Sequence, residues 1–234
     1  MPAQLVRIES APDLVDQVYR ALHDAISEGS LAPGERITQE DIAEKLAVSR
    51  QPVLQALRQL RRDGFVLDAP GRGVLVAPLD VAWMGKVYQV RGALDVLAAR
   101  LAAGVRYRVD PKLIEQGRKA TRGKNVKAMI DADLAFHHSI YQASGNPLIE
   151  QITQQHWGHL RRVMGAVLQS SRQRATVWDE HEAIASAIAD GEADRAAALI
   201  DHHSQQASDN LASRLTQVLR VQQPQQQRVP PRKA

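Results

Sequence analysis

The 234-residue sequence contains no cysteine. This absence excludes disulfide bonds, cysteine nucleophiles and thiolate metal ligands. No apolar run approaches the roughly 20 residues that a membrane-spanning helix needs, and no signal-peptide pattern opens the chain. We therefore expect a soluble, cytoplasmic protein with no membrane partner. The length suggests one large or two modest domains and is ample for an apolar core.

Positive charge is unevenly distributed along the chain. The formal net charge is +4, which is a mild indication of a polyanionic partner. Residues 50–62 hold four arginines and no acidic residue. A cluster of this kind is more often a solvated surface, so its structural setting decides between the two interpretations.

The first third of the sequence predicts three helices followed by a β-hairpin. Apolar residues recur at helical spacing over residues 14–28. Thr38 and Asp41 resemble a capping box for a short helix near residues 39–46, and a third helix follows Ser49. Two short β-type runs then flank a glycine-rich segment. This order of elements is typical of a winged helix-turn-helix, which binds DNA.

The third helix has a polar face that suits base recognition. Arginine and glutamine side chains hydrogen-bond guanine and adenine edges in the major groove, where the first turns of such a helix lie. Arg50, Gln51 and Gln55 are therefore the expected base-reading residues. Arg58 suits a phosphate contact, and Arg72 at the hairpin tip suits the minor groove. The full set of expected DNA contacts is Ser49, Arg50, Gln51, Gln55, Arg58 and Arg72.

Residues 14–78 resemble the GntR family of winged-helix regulators. The resemblance lies in the segments LAPGERITQEDIAEKLAVSRQPVLQALRQL and DGFVLDAPGRGVLVAPL, and it implies a transcription factor. The chain departs from the family at Leu54, where an arginine usually contacts DNA, and at Gln55, where an acidic residue is usual. Leu54 cannot contact phosphate but can touch a thymine methyl group. We therefore expect an operator that differs from the family's common pattern.

From Asp80 onward the sequence predicts about six helices, because breaks recur at glycine and proline positions from Gly104 to Gly191. The predicted fold class is mainly α, with a winged helix-turn-helix followed by an all-α helical bundle. We expect a DNA-binding domain over residues 1–78 and a helical domain over residues 79–221. Residues 222–234 lack an apolar pattern and are expected to form a disordered tail.

Four ionisable residues occupy positions where the helical pattern calls for apolar side chains: Asp133, His137, His181 and His203. Asp133 and His137 are four residues apart and project from one helix face. His181 lies 10 residues before Gly191 and His203 lies 12 after it, so a chain reversal there brings both histidines to nearly the same height. Buried together, the four would be costly unless paired or bound to a metal. They make a plausible site for a divalent transition metal, although each histidine alone is more often a satisfied core or surface residue.

Arg91 also falls on an inward-facing apolar stripe. A buried guanidinium needs an anion, and a carboxylate suits its planar fork. That carboxylate either belongs to a ligand or is internal, for instance at Asp95 or Asp133. The residues alone favour neither alternative.

Residues 80–215 resemble the FCD ligand-sensing domain of the FadR-type GntR subfamily, in its shorter, six-helix version. The matching segments are VYQVRGALDVLAARLAA, DADLAFHHSIYQASGNP and HEAIASAIADGEADRAAALIDHH. In metal-containing members an Asp and three His hold the ion, and these positions match Asp133, His137, His181 and His203. The resemblance implies a divalent transition metal. Zinc is the first candidate, and nickel, manganese and iron are the alternatives. Members commonly bind small carboxylates near the metal, which favours Arg91 as an effector contact.

Together these features predict a DNA-binding transcriptional regulator that is not an enzyme. We expect a homodimeric repressor that binds an inverted-repeat operator and responds to a small carboxylate held near the metal. Two alternatives stay open. One is a metal-dependent, hydrolase-like enzyme, which would leave the winged helix unexplained, and the other is a constitutive DNA-binding protein whose metal is purely structural.

Overall fold

The computed structural model describes residues 14–123, 125–170 and 176–226. The chain divides into two compact units, with the boundary between Pro78 and Leu79. The first unit contains α1 (Leu14–Ser27), β1 (Arg36–Ile37), α2 (Gln39–Lys45), α3 (Arg50–Arg62), β2 (Val66–Asp68) and β3 (Val74–Val76). The second contains α4 (Val81–Gly104), α5 (Pro111–Arg122), α6 (Val126–Ala143), α7 (Pro147–Ser170), α8 (Val177–Asp190) and α9 (Ala193–Gln226). The predicted fold class is confirmed.

The core of the first unit is formed by apolar stripes of α1 and α3. Both stripes follow the helical spacing that the sequence shows, and their members are almost fully buried: Val18, Leu22 and Ile26 of α1, and Val53, Ala56, Leu57 and Leu60 of α3. The Thr38 hydroxyl accepts a hydrogen bond from the Asp41 backbone N–H at 3.2 Å, which caps α2 at its start. With its apolar face buried, α3 presents its polar face to solvent.

A three-stranded antiparallel sheet with strand order β1-β3-β2 completes the first unit. The hairpin of β2 and β3 was predicted, and it pairs Val66 with Val76. Strand β1 was not predicted, because two residues are too few to show an alternating pattern. It pairs with β3 through Arg36 and Leu75. Arg72 lies in the exposed connection between β2 and β3.

The helices of the second unit begin and end at the signals in the sequence. Asn146 accepts a hydrogen bond from the Leu148 backbone N–H at 3.1 Å, which caps the start of α7. Gly191 has a φ of 78° and ends α8 in the left-handed conformation that favours glycine. The chain reverses there, so α8 packs against α9. No helix in the described part of the chain is long and apolar enough to cross a membrane.

The end of α9 differs from the prediction. The helix continues to Gln226, so residues 222–226 are helical where a disordered tail was expected. The preceding turns of α9 are already formed and the glutamines of this segment have a good helix propensity, although Pro224 removes one backbone hydrogen bond. The rest of the predicted tail, residues 227–234, lies outside the described residues.

A band of buried polar side chains crosses the apolar interior of the second unit. One apolar cluster lies on one side of it and includes Ala98, Phe136, Ile140, Ile184 and Ile200. A second lies on the other side and includes Met84, Val87, Ile130, Leu211 and Leu215. Along α4, α6 and α9 the polar residues fall between the two apolar sets. We call the band the polar layer, and it consists of Arg91, Asp95, Asp133, His137, His181, His203 and Ser204.

Helix α5 approaches α8 closely at Gly117. A Cβ atom placed on Gly117 would lie 1.9 Å from the ring of Trp178, a fully buried side chain of α8. Only glycine leaves room for the ring at this position. Trp178 lies three residues before His181, so this contact fixes the part of α8 that carries a residue of the polar layer.

Gly117→Ala is expected to lower the free energy of unfolding by about 1–3 kcal/mol, because the added methyl group overlaps the Trp178 ring. Gly85→Ala in α4 is the matched control, since nothing lies within 4 Å of a Cβ there and alanine favours the helix. Denaturant unfolding of the two variants measures the difference. Equal midpoints would contradict the proposed close contact.

Candidate functional site

The predicted DNA-contacting residues lie on the surface of the first unit. Ser49, Arg50, Gln51, Arg58 and Arg72 are exposed, whereas Gln55 is half-buried. Ser49 precedes the first turn of α3, and its hydroxyl makes no capping hydrogen bond. Leu54 is half-buried, so it offers an apolar contact at the edge of this face. The exposed groups are of the types that bind phosphates and base edges.

Arg50 is paired with an acidic residue of α2. Its Nη1 atom lies 3.2 Å from Oε1 of Glu40. Both side chains are largely exposed, so the pair contributes little to stability. The guanidinium can therefore exchange Glu40 for a base or phosphate at little cost. The sequence analysis did not identify Glu40, because an acidic residue in the first turn of a helix is common.

In the second unit, Asp133, His137, His181 and His203 meet in the polar layer. Each offers one ligand atom, and these atoms all lie within 4.8 Å of one another. Nε2 of His181 lies 3.3 Å from Nε2 of His203 and 3.6 Å from Oδ1 of Asp133. The reversal at Gly191 places the two histidines opposite each other. We call these four residues the ligand cluster.

His137 is a fully enclosed member of the ligand cluster. It is fully buried, and neither ring nitrogen has a hydrogen-bond partner among the described residues. Burial, and then the nearby charge of Arg91, lower the pKa of His137 well below its usual value of 6.5. The imidazole is therefore neutral at pH 7, which is the form that binds metal ions.

Glu180 contacts the cluster from outside, and the sequence analysis missed it. Its Oε2 atom lies 2.8 Å from Nδ1 of His203, and its Oε1 accepts a hydrogen bond from the Thr176 hydroxyl at 3.1 Å. A carboxylate at Nδ1 holds the imidazole proton there. Nε2, which faces His181, is then unprotonated and can bind a metal ion. The one signal in the sequence is that Glu180 directly precedes His181 on α8.

Arg91 forms an internal ion pair, and one of its nitrogens has no hydrogen-bond partner among the residues that the structure describes. Nε lies 3.3 Å from Oδ2 of Asp95, and the guanidinium carbon lies 4.2 Å from the ring centre of Trp157. Burial, the largest single influence, would lower the pKa of Arg91, but the surrounding acidic groups, Asp95 foremost, together outweigh it and the pKa is raised. Nη2 has no hydrogen-bond partner in the described chain. The internal carboxylate therefore pairs with Nε, whereas a ligand carboxylate, the other alternative from the sequence, would bind Nη2.

Asp95 connects three helices beside the ligand cluster. Its carboxylate accepts hydrogen bonds from the Tyr141 hydroxyl of α6 and from the Ser204 hydroxyl of α9 at 3.1 Å. Burial, and then the charge of Asp95, raise the pKa of Tyr141 well above its usual range, so the phenol keeps its proton and donates. Oδ1 of Asp95 also lies 3.9 Å from Nδ1 of His137.

A cavity lies against this cluster and is lined by Arg91, Asp133 and His203 together with residues of α7, α8 and α9. Its volume is about 50 Å³, which is room for about three to five water molecules. A small anion in the cavity would be within reach of both Arg91 and the cluster.

The ligand cluster fits a divalent transition metal. Its converging ligand atoms comprise imidazole nitrogens and a carboxylate oxygen, a donor set that zinc, nickel, manganese and iron all accept. The two buried ring nitrogens of His137 without hydrogen-bond partners also fit an ion, since buried polar atoms are normally satisfied. The cluster could therefore hold a metal.

Comparison with known proteins identifies a family for each of the two units. Residues 14–76 match the family described as bacterial regulatory proteins, gntR family, and residues 86–206 match the FCD domain. LutR of Bacillus subtilis is 27% identical over 217 residues, which cover 80% of this chain and 96% of LutR. An HTH-type regulator from an unstable DNA locus of Streptomyces ambofaciens is 27% identical over 199 residues, which cover 83% of each chain.

A solved structure shares the fold. Escherichia coli McbR/YncC superposes with a TM-score of 0.72 at 20% identity, over 88% of this chain and 99% of McbR. The matched families and relatives are transcriptional regulators and not enzymes, so the hydrolase alternative finds no support. A gntR-type domain implies a DNA partner, and an FCD domain implies a small-molecule effector. The chain therefore belongs to the GntR family, with an FCD domain after its winged helix, and it is a DNA-binding transcriptional regulator.

Proposed function

We propose that this regulator is a homodimeric, metal-dependent repressor whose operator affinity is modulated by a small carboxylate bound in the FCD domain. The observation that carries the proposal is the convergence of the four ligand-cluster atoms within 4.8 Å, beside Arg91 and the cavity that it lines. These groups together offer a metal site and an anion site within one small space.

The metal would be held by Asp133, His137, His181 and His203. Zinc is the first candidate, and nickel, manganese and iron are the alternatives. When bound, an ion with a coordination number above four supplies an open position for a carboxylate oxygen. Nη2 of Arg91, which has no hydrogen-bond partner among the described residues, would donate to the same carboxylate. Glu180 would keep Nε2 of His203 directed to the ion.

Effector binding would be linked to DNA binding through two states of the dimer. The ligand cluster draws its residues from α6, α8 and α9, and Arg91 belongs to α4, so an anion bound among them bridges several helices. A ligand that prefers one helix arrangement shifts the dimer toward it. Repression is the simplest effect, because a dimer on its operator excludes other proteins from the same DNA without a further contact.

The exposed face of α4 supports a homodimer. Val90, Ala93, Leu97 and Leu101 recur every three to four residues and are exposed, at 49%, 41% and 38% for Val90, Leu97 and Leu101. An apolar stripe on a helix surface marks an interaction face. A second copy of the chain would cover it with the same stripe in a two-fold contact, and this symmetry suits an inverted repeat.

Arg50→Ala is expected to weaken specific operator binding by about 1–3 kcal/mol, the range for one base-reading side chain. Arg195→Ala is the matched control, because it removes the same charge from an exposed position of α9. Both are measured by fluorescence anisotropy on an operator selected from random duplexes, at one fixed salt concentration. Wild-type affinity in the Arg50 variant would refute its role in base reading.

Replacing His137 and His203 together by alanine should remove the bound metal. The matched control replaces His138 and His202, their neighbours outside the cluster, in the same way. Elemental analysis should find metal in the wild type and in the control but not in the cluster variant. A chelator should lower the melting temperature of the first two proteins only. Full metal occupancy in the cluster variant would overturn the site.

Leu97→Glu should dissociate the dimer, because it places a charge in the centre of the apolar stripe of α4. Leu148→Glu changes an equally apolar side chain on α7, which is 60% exposed, and should leave the dimer intact. Sedimentation equilibrium gives the mass of each variant. A dimeric Leu97→Glu variant would place the interface elsewhere.

The effector itself is tested on the protein–operator complex at saturating zinc. Titration with small carboxylates is expected to change operator affinity for at least one of them, by about 5–150-fold, the usual range of allosteric coupling. If no carboxylate changes it, the proposed carboxylate effector is wrong, and the alternative of constitutive DNA binding with a purely structural metal is favoured.

A further inference from the structure

The turn between α2 and α3 connects the two helices in a fixed geometry. Ile42 of α2 and Val53 of α3 are buried in the same apolar cluster. Across the turn, the Val48 backbone N–H donates a hydrogen bond to the Ala43 carbonyl oxygen at 3.0 Å. The packing of the two helices, and not the weak ion pair, therefore brings Glu40 beside the first residue of α3.

Glu40 occupies only one end of the Arg50 guanidinium. Its Oε1 atom lies 3.2 Å from Nη1, and Arg50 makes no other ion pair within the described residues. Nε and Nη2 form the opposite edge of the planar fork, and O6 and N7 of guanine accept two such parallel N–H groups. Arg50 can therefore contact a guanine while Glu40 remains at Nη1.

A phosphate drawn to the same guanidinium would lie close to the Glu40 carboxylate. Two anions on one guanidinium repel each other, and the repulsion grows where protein and DNA exclude water. A base edge carries no net charge and avoids this penalty. Glu40 thus disfavours phosphate contacts of Arg50, which are the same for every DNA sequence, more than base contacts, which carry the specificity.

The charges along α3 fit a division of labour between its arginines. Arg50, at the expected base-reading position, has an acidic partner. Arg58, which suits a phosphate contact, is exposed and makes no ion pair within the described part of the chain. Arg61 and Arg62, at the end of the helix, are again paired with acidic residues. The unpaired charge therefore lies where a phosphate contact is expected, and a paired one lies where a base contact is expected.

We propose that Glu40 is a positioning residue that directs Arg50 to the O6 and N7 edge of a guanine and away from phosphates. It thereby raises the ratio of specific to non-specific DNA affinity. The inference rests on the proposed base-reading role of Arg50, and it adds a residue of α2 that contributes to operator choice through Arg50.

The test compares Glu40→Gln with Glu44→Gln in the full-length protein. Both changes remove one negative charge from an exposed position of α2, but Glu44 makes no ion pair among the described residues. Fluorescence anisotropy at one fixed salt concentration gives the affinity for the selected operator and for a random duplex of equal length. Glu40→Gln should lower the ratio of the two affinities by about three- to tenfold, and Glu44→Gln should leave it unchanged.

Salt titration on the random duplex gives a second readout. In Glu40→Gln, Arg50 is free to neutralise a further phosphate, so the logarithmic slope of affinity against salt should steepen by about one unit. A random-duplex slope in Glu40→Gln equal to that of the wild type would contradict the proposed exclusion of phosphate.

A double-mutant cycle separates this role from a purely structural one. In the Arg50→Ala background, Glu40→Gln should no longer change the ratio, because Glu40 acts through Arg50. Single operator guanines are then replaced by 7-deazaguanine, which lacks the N7 acceptor. At the guanine that Arg50 contacts, this replacement should weaken binding most in the wild type, less in Glu40→Gln and not at all in Arg50→Ala.

The outcomes distinguish this inference from the function on which it rests. If Arg50→Ala binds the operator as tightly as the wild type, the base-reading role itself is wrong. If Arg50→Ala weakens binding but Glu40→Gln keeps the wild-type ratio, only the positioning role of Glu40 is wrong. If Glu40→Gln lowers the ratio equally in the Arg50→Ala background, Glu40 does not act through Arg50 and the assignment is overturned. If no guanine shows the expected order of effects, the assignment to guanine is wrong.

Discussion

The buried ion pair of Arg91 and Asp95 is the interaction on which the centre of the FCD domain depends. Removing two charges from water costs several kcal/mol per ion unless other groups solvate them. Here the solvating groups are Tyr141 and Ser204, which donate to Asp95 from α6 and α9, and the ring of Trp157 beneath the guanidinium. The pair is therefore stable only when α4, α6, α7 and α9 have assembled, so the same contacts that satisfy the charges also position the site.

The polar layer contains buried polar atoms that a bound ligand could satisfy. The apolar clusters on either side supply the stability of the bundle, whereas both nitrogens of His137 and Nη2 of Arg91 lack hydrogen-bond partners within the described residues. Such atoms destabilise the free protein, and whatever satisfies them stabilises the arrangement in which they converge. Ligand affinity and local stability are thus two measures of one free energy.

The sequence predicted the parts of the site that a linear pattern encodes. The distances of His181 and His203 from Gly191 were enough to place them opposite each other, because a helix has a fixed rise and the glycine ends it. Strand β1 has too few residues to show a pattern. Glu180 of α8 contacts His203 of α9, and apart from its position next to His181 it resembles any acidic residue near a helix N-terminus. Arg91 pairs with Asp95 through Nε, whereas its Nη2 atom has no hydrogen-bond partner among the described residues. Residue spacing in a sequence cannot distinguish individual atoms of one side chain.

Helix α5 contributes none of the four ligand-cluster residues, yet its contact with α8 bears on the cluster. Trp178 packs against Gly117 on one side and meets the ring of Phe136 edge-on, with 6.3 Å between ring centres. One turn later the same helix presents His181. The rotation of α8 about its axis, and with it the direction of one imidazole, is thus set by a steric contact outside the cluster. A substitution in α5 can therefore alter the direction of this imidazole, and with it the affinity of the proposed site, while every residue of the ligand cluster stays the same.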